Sequence, residues 1–142
     1  MIKPYGLAKD EKDTYETIDD KSKGSLSEKD VREHWSVRAA RPGLQAVMSA
    51  RHSIDENVQA TRLLKEDMFD FLKGCIENRR VYELGVGIGR MTQELAKRAS
   101  EVYGNDISSE MLARAAENLK PYDNVTLRQG KIYEMEIEPG SF

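Results

Sequence analysis

The sequence predicts an α/β fold built on a short parallel sheet, and three observations carry that expectation. From residue 81 onward, short β-branched and aromatic runs alternate with amphipathic segments in the order β-α-β-α-β, the pattern of parallel strands joined by right-handed crossovers. The first of those strands runs straight into a glycine-rich turn, Gly85-Val86-Gly87-Ile88-Gly89. The second ends on Asp106, just ahead of Ser108, a residue type that caps helix N-termini.

The elements follow in order. Residues 1 to about 24 are polar and aperiodic and read as a flexible arm, with docking through Tyr5, Tyr15 and Ile18 as the alternative. Residues 25–80 form a helical region. Ser25-Leu26-Ser27-Glu28 fits a capping box, in which a Ser and a Glu satisfy each other's orphan backbone donors. Val31, Trp35 and Ala39 then recur on one face up to the breaker Pro42-Gly43, and Leu44, Val47 and Met48 keep helical spacing. Ser53-Ile54-Asp55-Glu56 is a second capping box. It opens a longer helix whose buried side is expected at Ala60, Leu64, Met68, Phe71, Leu72 and Cys75.

Residues 81–142 carry the alternating pattern. Val81–Leu84 is strand one, and Met91, Leu95 and Ala99 mark the inner stripe of the helix after the glycines. Glu101–Asn105 is strand two. Met111, Leu112, Ala115, Ala116 and Leu119 line the next helix, Pro121 ends it, and Val125–Arg128 is strand three.

Composition narrows the partners. With 22 basic and 25 acidic residues the net charge is -3, and the charges are mixed along the chain. No concentrated basic face appears, which disfavours nucleic acid and favours a small-molecule partner. No apolar run is long enough to span a bilayer, so no membrane partner is expected. Cys75 is the single cysteine, which rules out an intrachain disulfide or a cysteine-based metal site. The start of the chain lacks a signal-peptide core, and the expected setting is cytoplasmic.

The chemistry concentrates in Glu83-Leu84-Gly85-Val86-Gly87-Ile88-Gly89-Arg90. Glycines between a strand and a helix let backbone pass close to a ligand, because no β-carbon blocks the approach. A dinucleotide fold prefers the spacing G-x-G-x-x-G; here it is G-x-G-x-G, with an acid two residues ahead. A carboxylate there repels a pyrophosphate and suits an ammonium group. Asp106, at the end of strand two, is placed to accept ribose hydroxyls, and Ile107 offers an apolar face to a purine. Arg90 is open between clamping a carboxylate and sitting on the surface.

Glu83 to Arg90, followed by Asn105-Asp106-Ile107-Ser108-Ser109-Glu110-Met111-Leu112, resembles the first two motifs of class I S-adenosylmethionine-dependent methyltransferases. That family has a Rossmann-like fold. The resemblance implies S-adenosylmethionine as cofactor and S-adenosylhomocysteine as product, with Glu83 holding the methionine amino group. Gly85, Val86, Gly87 and Gly89 would form the cofactor turn, Asp106 would bind the ribose, and Ile107 would flank the adenine. The family's Gly-Asp after strand three is replaced by Gly130-Lys131, so Lys131 stands where an acid meets the adenine amino group and Ile132 covers the base. Lysine cannot accept a hydrogen bond. The segment His34-Trp35-Ser36-Val37-Arg38-Ala39 resembles the helix that lids the cofactor in many small-molecule members, which would make the helical region a lid.

The resemblance also implies a fourth strand beginning near a Phe-Asp step, and residues 138–142 reach only Phe142. The expectation is therefore a partial fold of three parallel strands in order 3-2-1, truncated before strand four. Its open edge on strand one would pair in a homodimer or with a completing partner chain. The implied function is methyl transfer to a small-molecule acceptor, with no acceptor-side catalytic residue visible and no metal. The alternative is a non-catalytic interaction or cofactor-binding module.

Overall fold

The computed structural model describes residues 27–142; the expected arm over residues 1–24 and the Ser25 end of the first capping box lie outside them. Helix α1 spans Glu28–Ala39, and its capping box forms two residues later than Ser25-Glu28 suggested. Ser27 is the N-cap, its hydroxyl accepting from the Asp30 amide, while the Asp30 carboxylate accepts from the Ser27 amide. Any of several Ser and acid pairs in this stretch meets the sequence rule, and helix packing selects one.

A short 3-10 turn, Gly43–Ala46, leads into helix α2, Ile54–Phe71, capped by Ser53 and Glu56 as expected. The buried face of α2 differs from the expected one. Asn57, Thr61 and Phe69 are buried, whereas Leu64, Phe71 and Cys75 are exposed. The helix is rolled so that its polar residues grip the preceding loop: Asn57 Nδ2 donates to the Ser49 carbonyl and Thr61 Oγ1 to Met48 Sδ. Cys75 falls beyond the helix, in a turn, where helical spacing no longer applies.

Strands β1 (Arg80–Leu84), β2 (Glu101–Asp106) and β3 (Val125–Gln129) form the parallel sheet in the expected order, β2 in the middle. Val81, Val102 and Val125 stand level across it. They meet Phe69, Ile76, Leu95, Ala96 and Ala99, which join the end of α2 and helix α3 (Thr92–Ala96) to the sheet. Helix α4, Ser109–Leu119, is capped by Ser108 and buries Met111, Ala115 and Leu119; Ala116, expected inside, faces out. On the opposite face Tyr82 and Tyr103 pair across the strands. The ring of Phe142 packs edge-on against both, at 5.2 and 5.3 Å. Phe142 thus lies over the sheet in an irregular segment. Among the described residues no helix is long and apolar enough to cross a membrane.

Helix α1 is tied across the α4 end of the sheet. Ser36 Oγ donates to the Glu110 carboxylate at 2.6 Å and lies 3.2 Å from Ser108 Oγ. Arg114 donates to the carbonyls of Ala39 and Arg41, closing the C-terminal end of α1. The buried Arg38 guanidinium clasps the carbonyls of Gln45, Ala46 and Met48, so the loop after α1 is held from within.

Candidate functional site

A cavity of 630 Å³ opens at the C-terminal ends of β1 and β2, roofed by α1. Its volume is within the usual range for small-molecule sites. The end of an open α/β sheet is also where such sites form, because loops leave the strands there and helix N-termini point inward.

Its floor is the turn after β1. Gly85, Gly87 and Gly89 all have positive φ, at 75°, 57° and 81°, a run that β-carbon-bearing residues adopt only with strain. The three glycines do different things. At Gly85 a β-carbon would meet nothing within 4 Å, and this residue lines the cavity. At Gly87 a β-carbon would stand 2.8 Å from Val47 Cγ1, so this glycine lets the loop after α1 close down on the turn. At Gly89 it would meet Leu119 Cδ1 at 3.0 Å, so this glycine lets α4 approach. Val86 is buried with Ala115 and Leu119 and touches the cavity from below.

Asp106 ends β2 and joins the two motifs. Its Oδ2 accepts from the Gly87 amide at 2.8 Å and its Oδ1 from the Ser108 amide at 2.9 Å. Each oxygen retains a further lone pair, and the residue lines the cavity. Beside it, Asn105 Nδ2 donates to the Gly130 carbonyl, while its buried Oδ1 accepts no hydrogen bond from the described residues.

Glu83 lies on the wall beside Gly85. Burial pushes its carboxyl up to about 7, against the opposing effects of the Thr92 hydroxyl, which donates at 2.6 Å, and the nearby Arg90 charge. Arg90 lines the same wall. Its Nη1 donates to Thr61 Oγ1 at 3.3 Å and Met48 Sδ at 3.8 Å.

At the far end Ile107 and Ile132 flank the cavity, with Lys131 between α1 and the turn after β3. The Lys131 ammonium is engaged: Nζ lies 2.6 Å from Glu134 Oε1 and 2.5 Å from Glu28 Oε2. These two carboxylates raise its pKa, Glu134 contributing most. Glu28 is the first residue of α1, so the pair joins the roof to the sheet.

The cavity gathers eight of the nine residues singled out in the sequence, namely Glu83, Gly85, Val86, Gly87, Asp106, Ile107, Lys131 and Ile132. Gly89 packs under α4 instead. Sequence reading passed over Glu28, Val47, Asn105 and Tyr133, which also line it. Val31 and Trp35 of α1 line it as well; Trp35 also packs on Ala39 and Ala46, so it serves core and cavity together. The four-residue spacing of Val31, Trp35 and Ala39 is legible in the sequence, but not what that face covers.

Residues 81–142 match the family model described as "Methyltransferase domain". That match agrees with the resemblance of these residues to class I S-adenosylmethionine-dependent methyltransferases. The methyltransferase residues have curated relatives. Ribosomal RNA small subunit methyltransferase A of Leuconostoc mesenteroides is 27% identical over 107 residues, covering 75% of this chain and 32% of the relative. Its namesake from Bacillus licheniformis is 38% identical over 64 residues, covering 45% of this chain and 22% of the relative. In fold, the chain is similar to a phosphoethanolamine N-methyltransferase of Haemonchus contortus solved with phosphoethanolamine and S-adenosylhomocysteine. The TM-score is 0.64 at 20% identity, over 82% of this chain and 25% of that one. The chain thus spans about a third or less of the length of the proteins it matches.

These relatives correct the expected partners. The mixed charge and net -3 point away from nucleic acid and towards a small-molecule acceptor, yet the curated relatives of the methyltransferase domain are named for ribosomal RNA. The physical reason is one of place. The residues matched hold the cofactor-type turn and strand ends, and their charge balance does not report on where a large polyanion docks.

Proposed function

We propose that this chain forms the S-adenosylmethionine-binding portion of a methyltransferase. The observation that carries the reading is the convergence of Glu83, Gly85 and Asp106 on one wall of the cavity, at the ends of adjacent strands. The donor set fits a nucleoside bearing an amino acid: a carboxylate for an ammonium, an open glycine face for close approach, and a strand-end carboxylate with free lone pairs for hydroxyls. When bound, that cofactor supplies a methyl group on a sulfonium centre. The chain's residues bind and orient it: Glu83 the amino group, Asp106 the ribose, Ile107 and Ile132 the base. The α1 roof, through Val31 and Trp35, excludes water above it.

Calorimetric titration with S-adenosylmethionine and S-adenosylhomocysteine tests this. Saturable binding is expected, weakened at least about tenfold by Glu83→Gln, which keeps the side-chain shape but removes the charge. A chain that binds neither ligand would overturn the reading.

An RNA acceptor is a second element of the proposal. The Leuconostoc alignment runs over 107 residues, more than residues 81–142 contain, so the likeness reaches into the helical region ahead of the sheet. Binding of a small-subunit ribosomal RNA fragment that tightens when S-adenosylhomocysteine is present is the expected result; no RNA binding in either state would remove this element. The single cysteine and the apolar pattern support a cytoplasmic setting as part of the same reading.

A further inference from the structure

We propose that Glu110 is a positioning residue: through Ser36 and Ser108 it ties the α1 roof to Asp106, so that the seating of the roof and the aim of the Asp106 carboxylate are set together. This rests on the cofactor reading above, in which Asp106 meets the ribose, and adds to it a residue outside the cavity lining.

Glu110 lies in the first turn of α4, the helix that Ser108 caps. One oxygen of its carboxylate, Oε2, accepts from three hydroxyls: Ser36 at 2.6 Å, Ser108 at 3.1 Å and Ser109 at 3.1 Å. Ser36 belongs to α1, 74 residues away in sequence, and follows Trp35, which lines the cavity. A hydroxyl bound to a charged acceptor makes a stronger bond than one bound to a neutral group. The same bonds hold the Glu110 carboxyl down to about 2, the Ser36 hydroxyl contributing most, so the tie keeps its charge across the neutral range.

Ser108 carries the link onward. It is fully buried, and its hydroxyl accepts from the Met111 amide, donates to Glu110 and lies 3.2 Å from Ser36 Oγ. Its own amide donates to Asp106 Oδ1, while the Gly87 amide holds Oδ2 from the other side. A carboxylate in a binding site is aimed by the donors behind it, so a shift of Ser108 turns Asp106. The other ties of α1 run from Glu28 to Lys131 and from the Ala39 and Arg41 carbonyls to Arg114. Both end on residues other than the two whose amides hold the Asp106 carboxylate. Glu110 is thus the point at which the roof reaches the residue that aims Asp106.

The test is calorimetric titration with S-adenosylhomocysteine and with its deoxyribose analogue, using the wild-type chain, Glu110→Ala, Ser36→Ala and the double variant. The wild-type chain is expected to prefer the intact ligand by at least about tenfold, the worth of a hydrogen bond to a charged group. Glu110→Ala should cut that preference about threefold or more, and Ser36→Ala, acting from the roof side, should cut it too. The double variant should lose less than the two losses combined, because both changes break the Ser36–Glu110 bond. Equal weakening of both ligands is what mere loosening of the fold would give. That result, an undiminished preference in either single variant, or losses that add in full overturns the inference while leaving the cofactor reading intact. So does a wild-type chain that binds both ligands equally well. A wild-type chain that binds neither overturns the cofactor reading itself. Should Glu110→Ala fail to fold by circular dichroism, Ser36→Ala decides alone, and an unchanged preference there overturns the assignment.

Discussion

Glu83 is an acid in a place that disfavours its charge, and its pH behaviour follows from that. Burial raises it from 4.5 to about 7. An acid whose folded pKa lies above its unfolded value stabilises the fold below the unfolded pKa, and that contribution is lost as pH climbs through the folded one. The ligand-free chain is therefore expected to lose stability between about pH 5 and about pH 8. At roughly 1.4 kcal/mol per unit, this group accounts for at most about 3 kcal/mol of the loss. Urea unfolding at both pH values checks this, and Glu83→Gln should flatten the slope. Ligand affinity moves the other way. An ammonium favours the ionised carboxylate, so binding of S-adenosylhomocysteine should tighten as pH rises through about 7 and release a proton below it. Calorimetry in buffers of different ionisation enthalpy reads that proton directly.

At the scale of elements, the glycine turn and the roof make separable predictions. Gly85→Ala and Gly87→Ala both place a side chain at positive φ, costing roughly 1 to 2 kcal/mol. Only the second also drives a β-carbon into Val47 Cγ1, at 2.8 Å. Thermal melts should therefore show Gly87→Ala as the less stable variant, by about a further 1 kcal/mol or more. Gly85→Ala, whose methyl group meets open space, should instead show its main effect in ligand titration. The Glu28–Lys131 pair joins the start of α1 to the turn after β3. Because Glu28 is partly exposed, Lys131→Met should leave global stability little changed. Amide exchange in the first two turns of α1 should nonetheless quicken, since a tether has been cut. Unchanged exchange there would show that Ser36, Ser108 and Arg114 hold the roof unaided.

For the molecule as a whole, the core is placed by how α2 rolls against the sheet. Phe69 is buried in the cluster that joins α2, α3 and the sheet, with the Arg98 guanidinium 4.5 Å above its ring. Two residues on, Phe71 is 85% exposed. Phe69→Ala should cost about 3 to 5 kcal/mol in chemical denaturation, and Phe71→Ala about 0.5 kcal/mol or less. Comparable losses at the two positions would mean that α2 packs on the face read from the sequence. That reading chose Phe71, Leu64 and Cys75 because apolar residues at helical spacing are the usual signal of a buried stripe. It failed where Asn57 and Thr61 displaced them through hydrogen bonds to a loop distant in pattern though near in sequence.

Local rules made several features legible from residues alone. The strand order, the glycine turn, the Ser53 and Ser108 caps and the placing of Glu83 and Asp106 at the ends of adjacent strands all rest on interactions between neighbours in the chain, or on two strands that a short crossover brings side by side. Tertiary structure alone decided which face of α2 is buried, that Gly89 serves helix packing, that Lys131 meets Glu28, and that Arg90 meets Thr61 of α2. Those outcomes depend on contacts between segments tens of residues apart. A side chain's partner there is set by how whole elements dock, and no periodicity or spacing records it.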